Sequence, residues 1–128
     1  MTASAPPGPQ PNAETQPFWD AAARGELLLR RCGECGRAHW YPRAICPHCF
    51  SDRTDWESAS GRGTLYAYTV MRRVPVPYAI AYVTLAEGPT MLTNIVEADL
   101  ESLHVGQPMR VAFVAADNGL AVPMFTPA

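Results

Sequence analysis

The sequence predicts a mainly β chain built as an N-terminal helix, a small metal ribbon and a C-terminal five-stranded barrel. Three observations predict it. All four cysteines fall in two C-x-x-C pairs, Cys32-Gly33-Glu34-Cys35 and Cys46-Pro47-His48-Cys49. Beyond residue 62 the chain breaks into short Val-, Tyr-, Thr- and Ile-rich runs separated by Gly, Pro and Asn turn signals. Ahead of the cysteines, one short segment near Phe18 carries apolar residues at helical spacing.

Residues 1–13 are dominated by Ala, Pro, Gly, Asn and Gln. Pro6, Pro7, Pro9 and Pro11 block regular structure and predict a disordered or extended tail. Residues 14–29 form the helix and the entry to the first strand. Pro17 suits the first helical turn, Phe18, Trp19, Ala22 and Ala23 recur on one face, and Gly25 stops the run. Leu27, Leu28 and Leu29 then open a strand with a buried side.

Residues 30–57 are the ribbon. A two-residue gap lets both thiolates of a pair point at one ion while backbone N–H groups turn toward the sulfurs. Two such knuckles make a tetrahedral four-sulfur site from Cys32, Cys35, Cys46 and Cys49, with ten residues between the pairs as a short hairpin. Zinc is the expected ion; iron uses the same ligand set, and sequence separates the two poorly. Disulfides would need an oxidising compartment, and the N-terminus shows no basic segment followed by an apolar run. The expected location is therefore cytoplasmic. Four thiolates close the coordination sphere, so the metal serves folding, not catalysis. Gly36 supplies the turn residue after the first knuckle, whereas Phe50 stands there in the second. His39 and His48 are close enough in sequence to be spare ligands but are not needed. Trp40 and Tyr41 are expected to cover the metal site or the join to the next module.

Asp55–Gly61 reads as a small polar hinge, and residues 58–128 as the barrel. Its strands are expected at 63–72, 78–86, 90–97, 108–116 and 120–125. In the first, Leu65, Ala67, Thr69 and Met71 alternate with Tyr66, Tyr68 and Val70. Asp99 caps a short helix between the third and fourth strands, and Asp117-Asn118-Gly119 is the strongest hairpin signal. Five strands interrupted there by a short helix is the order of an OB-type barrel; a six-stranded SH3-like or other small barrel is the alternative.

Net charge is −2, so no global basic field invites nucleic acid. The charge is uneven: Arg24 to Arg73 holds nine arginines against five acids, and the rest one arginine against seven. Arg30, Arg31, Arg37 and Arg43 can offset the net −2 of a zinc tetrathiolate; Arg62, Arg72 and Arg73 are candidate contacts for an anion such as a CoA phosphate. The chain has no lysine, which rules out Schiff-base and P-loop lysine chemistry. No apolar run is long enough for a spanning helix. His104 is the only histidine outside the ribbon, and with Glu101 it reads as a solvated helix end, so no catalytic residue is assigned.

Several motifs occur in a specific order: Cys-x-x-Cys-Gly, Tyr41-Pro42-Arg43 before Cys-Pro-x-Cys, Trp56, Gly61-Arg62-Gly63-Thr64-Leu65-Tyr66, Pro77-Tyr78-Ala79-Ile80-Ala81-Tyr82-Val83, and Leu103 to Val111. From about Phe18 to the C-terminus the chain resembles the zinc-ribbon OB-fold proteins long known as domain-of-unknown-function family thirty-five. The resemblance implies a helix, a rubredoxin-like zinc ribbon and an OB barrel. It also implies an accessory role beside thiolase-fold enzymes, as in archaeal acetoacetyl-CoA thiolase–hydroxymethylglutaryl-CoA synthase complexes, steroid side-chain aldolases and a phloroglucinol acyltransferase. In some of these the OB module helps hold the CoA moiety. The four cysteines carry over as metal ligands; Phe50 departs from the pattern. The expected function is thus a non-catalytic, zinc-bearing subunit that binds a thiolase-fold enzyme and its acyl-CoA, with no membrane contact. The alternatives are a single-strand nucleic-acid binder stacking bases on Tyr66, Tyr68, Tyr78 and Tyr82, which the acidic barrel disfavours, and a rubredoxin-like electron carrier.

Overall fold

The computed structural model describes residues 5–128. The first four residues of the expected tail lie outside that range. Residues 5–12 form no helix or strand, yet they are held in place. The Pro6 carbonyl accepts from the Asp117 N–H, and the Asp117 carboxylate accepts from the Gly8 N–H at 2.8 Å. The Asn118 amide donates to the Pro9 carbonyl. The segment is extended along the last hairpin turn, whose polar side chains satisfy its backbone.

Helix α1 (Gln16–Ala23) carries Pro17 in its first turn and stops where Gly25 turns left-handed at φ 78°. The Gly25 N–H donates to Ala22 and the Glu26 N–H to Ala21, so the last carbonyls are satisfied as the chain reverses. Phe18, Trp19, Ala21 and Ala22 are buried, so the helix packs inward and does not protrude.

The ribbon is a three-stranded antiparallel sheet of β1 (Leu28–Cys32), β2 (Ala38–His39) and β3 (Thr54–Ser58), in the order β2-β1-β3. Strand β3 corrects the expected hinge. Its residues are polar, but they pair with β1 from Leu28↔Ser58 to Cys32↔Thr54. The Arg31 guanidinium grips both Glu57 oxygens, holding the Glu57 carboxyl below its usual range, and the Arg30 guanidinium lies 4.5 Å from the Trp56 ring centre. Cross-strand pairing of this kind needs no apolar alternation and so gives no strand signal.

The second module is a closed barrel of β4 (Arg62–Met71), β5 (Tyr78–Leu85), β6 (Thr90–Ile95), β7 (Pro108–Ala115) and β8 (Ala121–Pro127). Its order is β4-β5-β6-β8-β7, with β6 and β8 parallel at Ile95↔Phe125 and β7 closing onto β4. A 3-10 turn, Leu100–Ser102, sits between β6 and β7, and the Asp99 carboxylate caps it by accepting from the Glu101 N–H. This is the OB order read from the sequence. Leu65, Val83, Leu85, Met91, Met109 and Phe125 fill the barrel.

The simple alternation expected in β4 fails at one point. Leu65 pairs with Val83, but Ala67 pairs with Tyr82, so Tyr66 is an extra residue in a β-bulge. Beyond it the faces exchange: Val70 joins the core with Leu65, and Met71 is exposed. A bulge shifts the two-residue period by one, which a periodicity argument cannot anticipate.

The modules meet at an aromatic cluster. Phe18 meets Trp19 edge-on at 4.9 Å and Tyr41 at 5.6 Å, and the Trp19 indole N–H donates to the Tyr41 hydroxyl at 2.9 Å. Trp40 and Tyr41 therefore cover the join. Leu27, Leu28 and Leu29 are buried in the same continuous core as Phe125 and Leu65.

Candidate metal centre

Each knuckle is built by the same local hydrogen bonds. In the first, the Glu34 and Cys35 N–H groups donate to Cys32 Sγ at 3.3 and 3.4 Å. In the second, the His48 N–H donates to Cys46 Sγ at 3.4 Å. Each is closed by a backbone bond four residues long, Gly36 to Cys32 and Phe50 to Cys46. Gly36 adopts φ 76° and Phe50 φ 65°, so the two turns share one conformation although only one has glycine. Phe50 accepts a left-handed backbone as a residue 79% exposed.

The four Sγ atoms lie within 4.8 Å of one another, with Cys32–Cys49 at 3.5 Å and Cys35–Cys46 at 3.7 Å. A tetrahedral zinc with bonds of about 2.3 Å sets sulfurs about 3.8 Å apart. A disulfide needs about 2.05 Å. The donor set therefore fits one thiolate-bound ion, and its four bonds would link both knuckles. Cys32 and Cys46 are buried at the base, Cys35 and Cys49 exposed. Backbone donation from Cys35 holds the Cys32 thiol down to about 6. At Cys49 backbone donation from Ser51 is outweighed by burial and the neighbouring thiols, which push it up to about 12, so the crowded sulfurs do not all ionise without a cation between them. The ion would supply charge and cross-linking; with all four positions taken by sulfur, none is left for substrate.

The histidines stand apart from this set. His39 is buried with Nε2 3.2 Å from both the N–H and the carbonyl of Arg43, and burial pushes its pKa down. His48 is exposed. His104 Nδ1 faces the Ser102 carbonyl, while Glu101 pairs with Arg72 at 3.0 Å. No histidine–carboxylate pair occurs among the described residues, and the described cysteines all belong to the metal cluster.

The structure separates the three candidate anion contacts. Arg62 opens β4, and Arg72 and Arg73 follow its end. Arg62 and the Arg72–Arg73 pair thus stand at opposite ends of one ten-residue strand. Arg72 is engaged by Glu101, whereas Arg62 stands opposite Arg110 on β7. Arg110 escaped the sequence reading because nothing in one dimension sets residues 62 and 110 side by side. Of the four arginines expected to offset the metal charge, Arg30 and Arg31 bind β3 and the Gly36 carbonyl; Arg37 and Arg43 are exposed.

A tetrathiolate ribbon whose third strand runs into an OB-ordered barrel defines the class: a zinc-ribbon OB-fold protein. Two family models match in tandem, the rubredoxin-like zinc ribbon domain of ChsH2 over residues 19–55 and its C-terminal OB-fold domain over residues 56–114. The chain belongs to this DUF35 family. It is 33% identical over 127 residues to a probable enoyl-CoA hydratase alpha subunit of Thermomonospora curvata, covering 95% of this chain but only 40% of that protein. A DUF35 domain-containing scaffold protein of Methanocaldococcus jannaschii is 33% identical over 95 residues, 68% of this chain and 67% of that one. Among solved structures, a chain of an Ltp2-ChsH2(DUF35) aldolase superposes with TM-score 0.82 at 32% identity, covering 94% of this chain and 98% of that one. A DUF35 protein of unknown function from Sulfolobus solfataricus shares the fold, with TM-score 0.67 at 16% identity over 91% and 87% of the two chains.

Proposed function

We propose that the chain is a non-catalytic accessory subunit that docks on a thiolase-fold enzyme and helps hold its acyl-CoA substrate. The observation that carries this reading is the likeness, along nearly the whole chain, to a component of the Ltp2-ChsH2(DUF35) aldolase. The names of other relatives, a scaffold protein and the alpha subunit of a hydratase, agree with work done as part of an assembly. Thiolase-fold partnership comes from the family resemblance of the motifs. The site chemistry agrees: acyl transfer or carbon–carbon cleavage needs a nucleophile with a base beside it, and the described thiols all lie in the candidate metal cluster. Phe50, Tyr66, Tyr82 and Leu92 are each about half or more exposed, apolar surface that a partner would cover.

The test is co-expression with a thiolase-like protein encoded beside this chain. The two are expected to co-elute with one zinc per copy of this chain, and acyl-CoA turnover is expected only from the pair. Turnover by the isolated chain, or separate elution with no effect on the enzyme's KM, refutes the proposal.

A further inference from the structure

Arg62 and Arg110 face each other directly where β4 pairs with β7. Opposed residues on antiparallel strands hold their Cα atoms about 4.5–5.5 Å apart, and like charges in that position repel. Neither guanidinium has a hydrogen-bond or ion-pair partner among the described residues, whereas Arg24, Arg31, Arg53 and Arg72 each have a carboxylate. Glu87, in the turn after β5, accepts from the Ser60 N–H through Oε2 at 2.8 Å; its buried Oε1 has no partner, and Glu87 forms no ion pair with Arg62 or Arg110. Both arginines line one open groove of about 550 Å³, with Leu85, Ala86, Pro108 and Met109 among its apolar walls. Ala128 also lines the groove, but its terminal carboxylate forms no ion pair with either arginine. A like-charge pair beside an apolar groove, with no acidic side chain in the lining, lacks an anion.

The groove opens onto the outer face of the barrel. Thr84, Tyr82 and Ile80 of β5 pair there with Thr90, Leu92 and Asn94 of β6. Neither β5 nor β6 contains a charged residue, and Tyr66, Tyr82 and Leu92 are exposed at 65%, 48% and 49%. A polynucleotide would need cations repeated along this face to meet successive phosphates. One cationic pair followed by an uncharged aromatic surface suits a single phosphate group joined to an uncharged body. Two guanidinium forks match a dianionic phosphate better than a monoanionic carboxylate.

We infer that Arg62 and Arg110 clamp the phosphate group of a small organic phosphate whose body lies toward Tyr66 and Tyr82. The inference deepens the function proposed above and rests on it for the ligand class, since an acyl-CoA has both parts.

The test titrates the zinc-loaded full chain with ADP, adenosine and decathymidylate, followed by amide NMR. ADP is expected to shift residues 62–64 and 108–110; adenosine is not. Arg62→Gln and Arg110→Gln are each expected to raise the ADP Kd tenfold or more, and Arg72→Gln to change it less than twofold. A second readout is thermal. Sodium phosphate is expected to raise the melting temperature above sodium chloride of equal ionic strength, and either glutamine variant to lose that advantage. Adenosine matching ADP, no response at those amides, or equal melting in the two salts overturns the clamp. Decathymidylate binding tighter than ADP overturns it in favour of nucleic acid. A partner that co-elutes with a chain indifferent to ADP removes the clamp alone; ADP capture without a partner removes the accessory role alone.

Discussion

The ribbon and the barrel solve the same problem by different means. The barrel buries Leu65, Val83, Leu85, Met91, Met109 and Phe125 inside a ladder that closes on itself, leaving no free edge. The ribbon has little interior of its own. Its buried leucines face the helix and the barrel core, and its other fully buried positions include Cys32 and Cys46. Sheets this small are rarely stable without a staple. The difference teaches that apolar surface organises one half of the molecule and four sulfurs the other, with Phe18, Trp19 and Tyr41 as the joint.

Metal removal should break that contrast most sharply. Structural zinc sites carry apparent binding free energies on the order of 10 kcal/mol or more, which become folding free energy. Chelation, or Cys46→Ala, is expected to collapse the dispersed NMR signals of β1 to β3, including Trp56, while amides of β4 to β8 keep their positions. Loss of both sets together would show that the barrel also depends on the metal. Next in size is the barrel's own interior. Phe125→Ala removes a ring with no exposed surface and is expected to cost about 3–5 kcal/mol in denaturant unfolding of the barrel, without reducing zinc content. A smaller cost with loss of zinc would mean the two modules unfold as one.

The smallest effect sharpens the comparison within the ribbon. The left-handed backbone at Phe50 costs a non-glycine residue roughly 1–2 kcal/mol, of which glycine's greater unfolded freedom returns about 0.5–1 kcal/mol. Phe50→Gly is therefore expected to raise stability by about 0.5–1 kcal/mol and slow zinc loss to a chelator. Destabilisation would reveal a contact made by the Phe50 ring that outweighs the strain.

Short-range rules recovered the elements that short-range forces build. Pro17 and Gly25 bound the helix as expected, and Asp99 caps its turn through its own carboxylate. The misreadings all depended on a distant partner. Thr54–Ser58 is a strand because β1 lies beside it and Arg31 meets Glu57, not because its residues favour one. Tyr66 bulges because β4 must curve to pair with both β5 and β7. Glu101 and His104 are exposed, as a solvated helix end should be, and the partner no local pattern names is Arg72, which reaches Glu101 from 29 residues away.

What the amino-acid order by itself determined is the metal centre and the succession of helix, ribbon and barrel strands. Thiolate spacing, capping and two-residue alternation act within a few residues, and those distances are written in the chain. Only the tertiary structure decided which side chains became neighbours across the closed barrel: the exchange of faces at Tyr66, and the pairing of Arg62 with Arg110. Barrel closure brings together residues that are far apart in sequence, and no local pattern specifies which charges it sets opposite each other.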